Sequence, residues 1–129
     1  MTQEDKSLLL KDLCARLPYG IKFLRESWNF ETDQELSVIE VLEDIDKDGY
    51  INNTKVYDYV GDIKPYLFPM SSMTEEQSKV YHELINGMFG TSALINFEVL
   101  TDFFNSNHLD YRGLIKRGLA IDATGLNIY

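Results

Sequence analysis

The sequence predicts an α+β fold: an N-terminal helix, a small twisted antiparallel sheet or partial barrel over residues 20–62, two helices, and a short C-terminal strand. Three observations carry this expectation. Leu9, Leu10, Leu13 and Leu17 recur at helical spacing. Residues 20–60 are rich in β-branched and aromatic side chains punctuated by turn formers. Thr74-Glu75-Glu76-Gln77 has the spacing of a capping box ahead of a second helical pattern. A length of 129 residues sets the expectation of one domain, 1–129, with a core able to form without disulfides.

Each element has a local reason. Thr2 is the expected N-cap of a helix over 2–16, and the acids Glu4 and Asp5 suit the positive end of its dipole. Pro18 stops that helix, because the residue before a proline is pushed out of the α region. Ile21–Leu24 and Glu35–Leu42 read as strands, with helix an alternative over 35–43. Gly49 marks a turn. Tyr50-Ile51 and Val56–Val60 read as further strands, the latter alternating Val56, Asp58 and Val60 with Tyr57 and Tyr59. Residues 61–73 read as a connector in which Pro65 and Pro69 enclose an extended strap, Tyr66-Leu67-Phe68. The capped helix is expected to bury Val80, Tyr81, Leu84, Ile85 and Met88 and to end near Gly87 or Gly90. A second helix over 97–107 would turn Val99, Leu100, Phe103 and Phe104 inward. Leu119-Ala120-Ile121 is the expected last strand. Trp28, Tyr57, Tyr59, Tyr66 and Phe68 are assigned to the core of the sheet rather than to a flat surface patch.

Charge is distributed unevenly. The net charge is −9, and residues 26–62 hold eleven acids against only Lys47 and Lys55, so this segment alone accounts for the whole excess. Its acids alternate with apolar residues, which distinguishes it from a disordered acidic tail. An acidic balance works against direct nucleic-acid binding, which needs Lys and Arg for phosphates. No apolar run approaches the roughly 18 residues of a membrane span, and the first residues lack the basic and apolar regions of a signal peptide. One cysteine cannot form an internal disulfide, which fits a reducing compartment.

Three uninterrupted strings stand out: Leu13-Cys14-Ala15-Arg16-Leu17-Pro18-Tyr19-Gly20, then Lys64-Pro65-Tyr66-Leu67-Phe68-Pro69-Met70-Ser71-Ser72-Met73-Thr74, and Asp110-Tyr111-Arg112-Gly113-Leu114-Ile115 with Gly118-Leu119-Ala120. Together they resemble a family of small uncharacterised proteins from gut Bacteroidales and their prophages or mobile elements. The resemblance implies a cytoplasmic, phage-related protein and no particular activity. It does not extend to the acidic segment between Trp28 and Asp58.

The sharpest chemical motif lies inside that acidic segment. Residues 44–55 follow the order of an EF-hand calcium loop, with Asp44, Asp46 and Asp48 at the first three oxygen positions, Gly49 at the sharp turn, and Tyr50 and Asn52 further on. Lys55 stands where the bidentate carboxylate belongs, which removes two oxygens and adds a cation. The competing reading is an acidic hairpin turn, since Asp and Gly favour tight turns. We therefore assign no metal, with Asp44, Asp46, Asp48, Tyr50 and Asn52 as the candidate ligands of the calcium alternative.

Other constellations are weaker. Glu43 and Asp44 have no His, Ser or Cys nearby in sequence and read as surface. His82 and His108 lack metal-ligand spacing to each other or to Cys14. Cys14 reads as a small core residue, and Arg112, beside Gly113, as a side chain satisfying local carbonyls. The glycines are too dispersed for a phosphate loop. The expected function is a non-enzymatic cytoplasmic interaction module, with no catalytic residue and no cofactor. Its expected partner is a protein, a basic one if the acidic segment is used, and neither nucleic acid nor membrane; its oligomeric state is left open. The alternatives are a calcium-binding module through loop 44–55 and an acidic inhibitor of a nucleic-acid-binding protein, whose carboxylates would mimic phosphates.

Overall fold

The first helix, α1, spans Gln3–Arg16 and is closed at its start by a reciprocal capping box. The Asp5 N–H donates to Thr2 Oγ1 at 3.0 Å, and the Thr2 N–H donates to Asp5 Oδ2 at 3.4 Å. A 3-10 turn over Leu17–Tyr19 follows, and Gly20 leaves it in the left-handed region at φ 69°, a conformation that glycine adopts without the Cβ penalty. A computed structural model describes residues 1–29, 31–53, 56–87 and 93–129.

Strand β1 (Lys22–Asn29) pairs antiparallel with β2 (Gln34–Val41), Lys22 opposite Val41 and Asn29 opposite Gln34. Strand settles the 35–43 alternative. β3 (Tyr50–Asn53) and β4 (Val56–Tyr59) form a separate hairpin, joined to the preceding chain by an isolated bridge between Ile45 and Ile51. β5 (Ile63–Leu67) pairs antiparallel with β1, and β6 (Ile121–Asp122) runs parallel to β5. The order of the four-stranded sheet is β2-β1-β5-β6.

The fold is α+β, as expected, with three corrections to the sheet. It is mixed and open, neither purely antiparallel nor a partial barrel. The hairpin lies outside it. The connector, expected as an extended strap between Pro65 and Pro69, supplies its third strand, β5. Proline lacks an N–H and normally marks an edge; here β6 pairs with Tyr66 and Leu67 and stops short of Pro65, which has no strand beside it on that side among the described residues.

Helices α2 (Glu75–Gly87) and α3 (Ala93–Ser106) follow, α3 beginning four residues earlier than expected. The capping box of α2 is present. The Thr74 N–H donates to Gln77 Oε1 at 2.9 Å and the Gln77 N–H donates to Thr74 Oγ1 at 3.1 Å. Val80 and Val99, expected inside, are exposed. They neighbour the inward stripes without belonging to them, each residue being turned about 100° from the next. Met88 and Gly90 lie outside the described residues, as does Lys55.

Two apolar clusters hold these elements. Leu9 and Leu13 of α1 pack with Ile21, Phe23, Leu42, Ile51, Ile63 and Leu67 beneath the sheet. Each such buried side chain contributes about 1.5–3 kcal/mol by transfer from water. The second cluster joins Leu100, Phe104 and Leu109 to Phe68, Tyr81, Leu84 and Phe103. The chain after β5 binds both ends of the fold: the Phe68 N–H donates to the His108 carbonyl and the Asp110 N–H to the Phe68 carbonyl, each at 2.8 Å. Tyr66 is in the core as expected, while Phe68 is half-buried. The side chains of Trp28, Tyr57 and Tyr59 lie outside the described set.

Candidate functional site

The register of the sheet determines which side chains reach solvent. Paired residues share a face, and alternate residues take opposite faces. Phe23, Ile63, Pro65 and Leu67 lie on the face that meets α1, and all are buried. Lys22, Leu24 and Glu26 of β1 therefore share the other face with Val41, Ile39 and Ser37 of β2 and Lys64 of β5. Ile39, Leu24 and Lys64 form one cross-strand row. Ile39 is 47% exposed and Val41 44%, and Leu24 is half-buried. Large β-branched side chains left in water on a sheet face are the kind of surface that a partner covers.

One end of this face is acidic. Glu26 is exposed on β1, and Asp62 is exposed just before β5. Asp62 ends a 3-10 turn over Val60–Asp62 that leads into β5, and it lines one cavity together with Glu26. Neither has a hydrogen-bond or ion-pair partner among the described residues. Glu31, Asp33, Glu35, Glu43, Asp44 and Asp48 are exposed as well. The acidic segment recognised in sequence is thus largely at the surface, with Glu40 partly buried and 3.4 Å from Arg25 on the inner face.

A cavity of about 290 Å3 opens at this acidic end, lined by Leu24, Glu26, Gly61, Asp62, Ile63, Lys64 and Ile121. By register, Ile121 pairs with Tyr66 and takes the same face as Leu24 and Lys64.

The candidate calcium residues build a turn. Asp46 Oδ1 accepts from the Asp48 N–H at 2.9 Å and from the Tyr50 N–H at 3.0 Å. The Asp46 N–H donates to the Tyr50 carbonyl at 2.9 Å, and Gly49 sits at φ 84°. This is an Asp-templated hairpin turn that uses a carboxylate oxygen to satisfy backbone donors. It is flanked by β2 and β3, where an EF-hand has helices. Asp44 and Asp48 are exposed beside it, and the side chain of Asn52 is outside the described set. Among the described residues, no three His, Cys, Asp or Glu side chains come together as a group able to hold a metal ion.

The structure also assembles a charged cluster that sequence reading missed. Arg16 and Asp12, both fully buried, pair with Nε–Oδ2 at 2.8 Å and Nη2–Oδ1 at 3.2 Å. Arg16 Nη2 also donates to the Leu109 carbonyl at 2.6 Å. Arg112 Nε donates to Asp12 Oδ1 at 3.1 Å, and its guanidinium lies 4.8 Å from the Tyr111 ring centroid. Arg112 thus binds a carboxylate and not the local carbonyls expected of it; Arg16 takes that role. The i, i+4 spacing of Asp12 and Arg16 was a visible signal, but nothing local marked them as buried. Two of the strings that carry the resemblance, around Arg16 and around Tyr111, meet here.

The remaining candidates have modest settings. Cys14 is exposed on α1, which corrects the core assignment: it lies about 100° around the helix from Leu13. Partial desolvation raises its thiol pKa, the opposite of an activated thiolate. Glu43, Asp44 and His82 are exposed. The His108 ring stacks on Tyr129 with centroids 3.8 Å apart. Burial, with Arg16 and Lys22 nearby, lowers its pKa to about 4. The Tyr129 hydroxyl donates to the Tyr66 carbonyl at 2.8 Å and accepts from the Lys22 N–H at 2.9 Å; burial raises its pKa to about 12.

Among the described residues, no helix is long and apolar enough to cross a membrane. Comparison with protein-family models, curated proteins and solved structures returned no match for this chain.

Proposed function

We propose that the protein is a non-enzymatic, cytoplasmic interaction module that binds a basic protein partner on the solvent face of its sheet. The observation that supports this reading is the cross-strand row of Ile39 and Leu24, exposed and half-buried, next to the carboxylates of Glu26 and Asp62, which have no partner among the described residues. An apolar centre would supply the burial on which affinity depends. An acidic end would select and steer a positively charged partner. The lone exposed cysteine fits a reducing compartment, and an origin in a prophage or mobile element rests on the resemblance of the three strings alone.

A displayed random-peptide library tests the reading. Enriched peptides should combine apolar residues with a net positive charge, and the Ile39→Asp variant should lose them. Enrichment of neutral or acidic peptides, or retention by Ile39→Asp, would overturn it.

A second reading is inhibition of a nucleic-acid-binding protein, favoured by the exposure of Glu31, Asp33, Glu35, Glu43, Asp44 and Asp48. Such a partner would be released by DNA or RNA competitor, whereas the first reading expects competition only from peptide.

A further inference from the structure

We infer that the cavity at the acidic end of the sheet is an anchor site for an arginine side chain of the protein partner. This rests on the protein-binding reading above and specifies its central contact. The cavity's volume, about 290 Å3, lies at the lower limit of small-molecule pockets and suits one long side chain better than a cofactor. Its composition matches the two halves of arginine. Leu24 and Ile121, on the same face of neighbouring rows, offer an apolar surface for a methylene stem. Glu26 and Asp62 offer carboxylates to a guanidinium, which can bind them through parallel N–H donors.

Charge complementarity gives the site its direction. Two carboxylates lining one cavity repel each other, and neither has a hydrogen-bond or ion-pair partner among the described residues. A cation arriving between them would relieve that repulsion. Lys64 also lines the cavity, and its ammonium can donate to a main-chain carbonyl of the same partner. A lysine could neutralise the site, but its point charge cannot engage two carboxylates with the fixed fork of arginine. Arginine is also enriched among the residues that dominate interface energies.

The test uses the whole chain and N-acetyl-L-argininamide as the probe, with the neutral isostere N-acetyl-L-citrullinamide as control. Amide NMR signals of Leu24, Glu26, Gly61 to Lys64 and Ile121 should move with the first and not with the second. The combined Glu26→Gln and Asp62→Asn variant should weaken the effect by about tenfold, in the range of close charge pairs. Both residues are exposed, so the variant should keep its spectrum elsewhere. Equal shifts with citrullinamide, shifts confined to other residues, or indifference to the double variant would overturn the assignment. Display-selected peptides that depend on Ile39 but not on Glu26 and Asp62 would overturn the anchor and leave the binding face standing. Peptides indifferent to Ile39→Asp would overturn the face itself.

Discussion

The Arg16 guanidinium lies 2.8 Å from the Asp12 carboxylate with both side chains fully buried, and this pair fastens α1 to the chain around Leu109 and Arg112. Arg16 Nη1 has no partner among the described residues, and the cation leans on the Tyr111 ring, 5.3 Å from its centroid. Removing one member of a buried pair strands the other. Asp12→Ala should therefore cost about 3–5 kcal/mol in urea unfolding, whereas replacing Asp12, Arg16 and Arg112 together by apolar residues of similar volume should recover most of the loss.

Stability should depend on pH through His108. Its folded-state pKa, about 4 against an ordinary 6.5, means that the unfolded chain binds the proton more readily. Stability is then complete above about pH 6.5, falls as the pH drops toward 4, and levels off below. Replacement by Asn, which tolerates the positive φ of 57° at this position, should flatten that slope in thermal melts. An imidazole titration by NMR with a midpoint near 6.5 would refute this account of His108.

The sequence was most legible where local chemistry decides structure. The two N-caps, the stripe of Leu9 and Leu13, and the turn at Gly49 can all be read from short spacings, because the groups that satisfy each other lie within five residues. What escaped was set by distant partners. β5 hides behind Pro65, and only pairing with Phe23 and Tyr66's contact with Ile121 make it a strand. Nothing local marks Asp12 and Arg16 as buried; Leu109 and Arg112, almost a hundred residues away, enclose them. At the candidate site, the acidic composition was plain, but Glu26 and Asp62 reach one cavity only through the pairing of β1 with β5 and the turn that precedes it, which composition does not encode.

The Thr74 cap should behave as an isolated element. Thr74 is exposed, and its hydroxyl accepts from the Gln77 N–H at the start of α2. Thr74→Ala should cost about 1 kcal/mol, seen as a Tm lower by about 4 °C, with no change in peptide binding.

The loop at Asp46 should respond to mutation rather than to metal. Because Asp46 Oδ1 holds two backbone N–H groups, Asp46→Ala should destabilise by about 1–2 kcal/mol. Asp44→Ala should be thermally silent, and millimolar calcium should leave the Tm unchanged. A calcium-dependent rise in Tm that Asp44→Ala abolishes would establish the calcium-binding alternative instead.

Binding at the sheet face is tested most directly by titrating a display-selected basic peptide into the isotope-labelled chain and mapping the amide signals. Binding at this face should perturb Lys22–Glu26, Ser37–Val41 and Asp62–Tyr66, an effect lost in Ile39→Asp although that variant's stability changes by less than about 0.5 kcal/mol, as for other exposed positions. Perturbations centred on α2 and α3, or undiminished in Ile39→Asp, would contradict it.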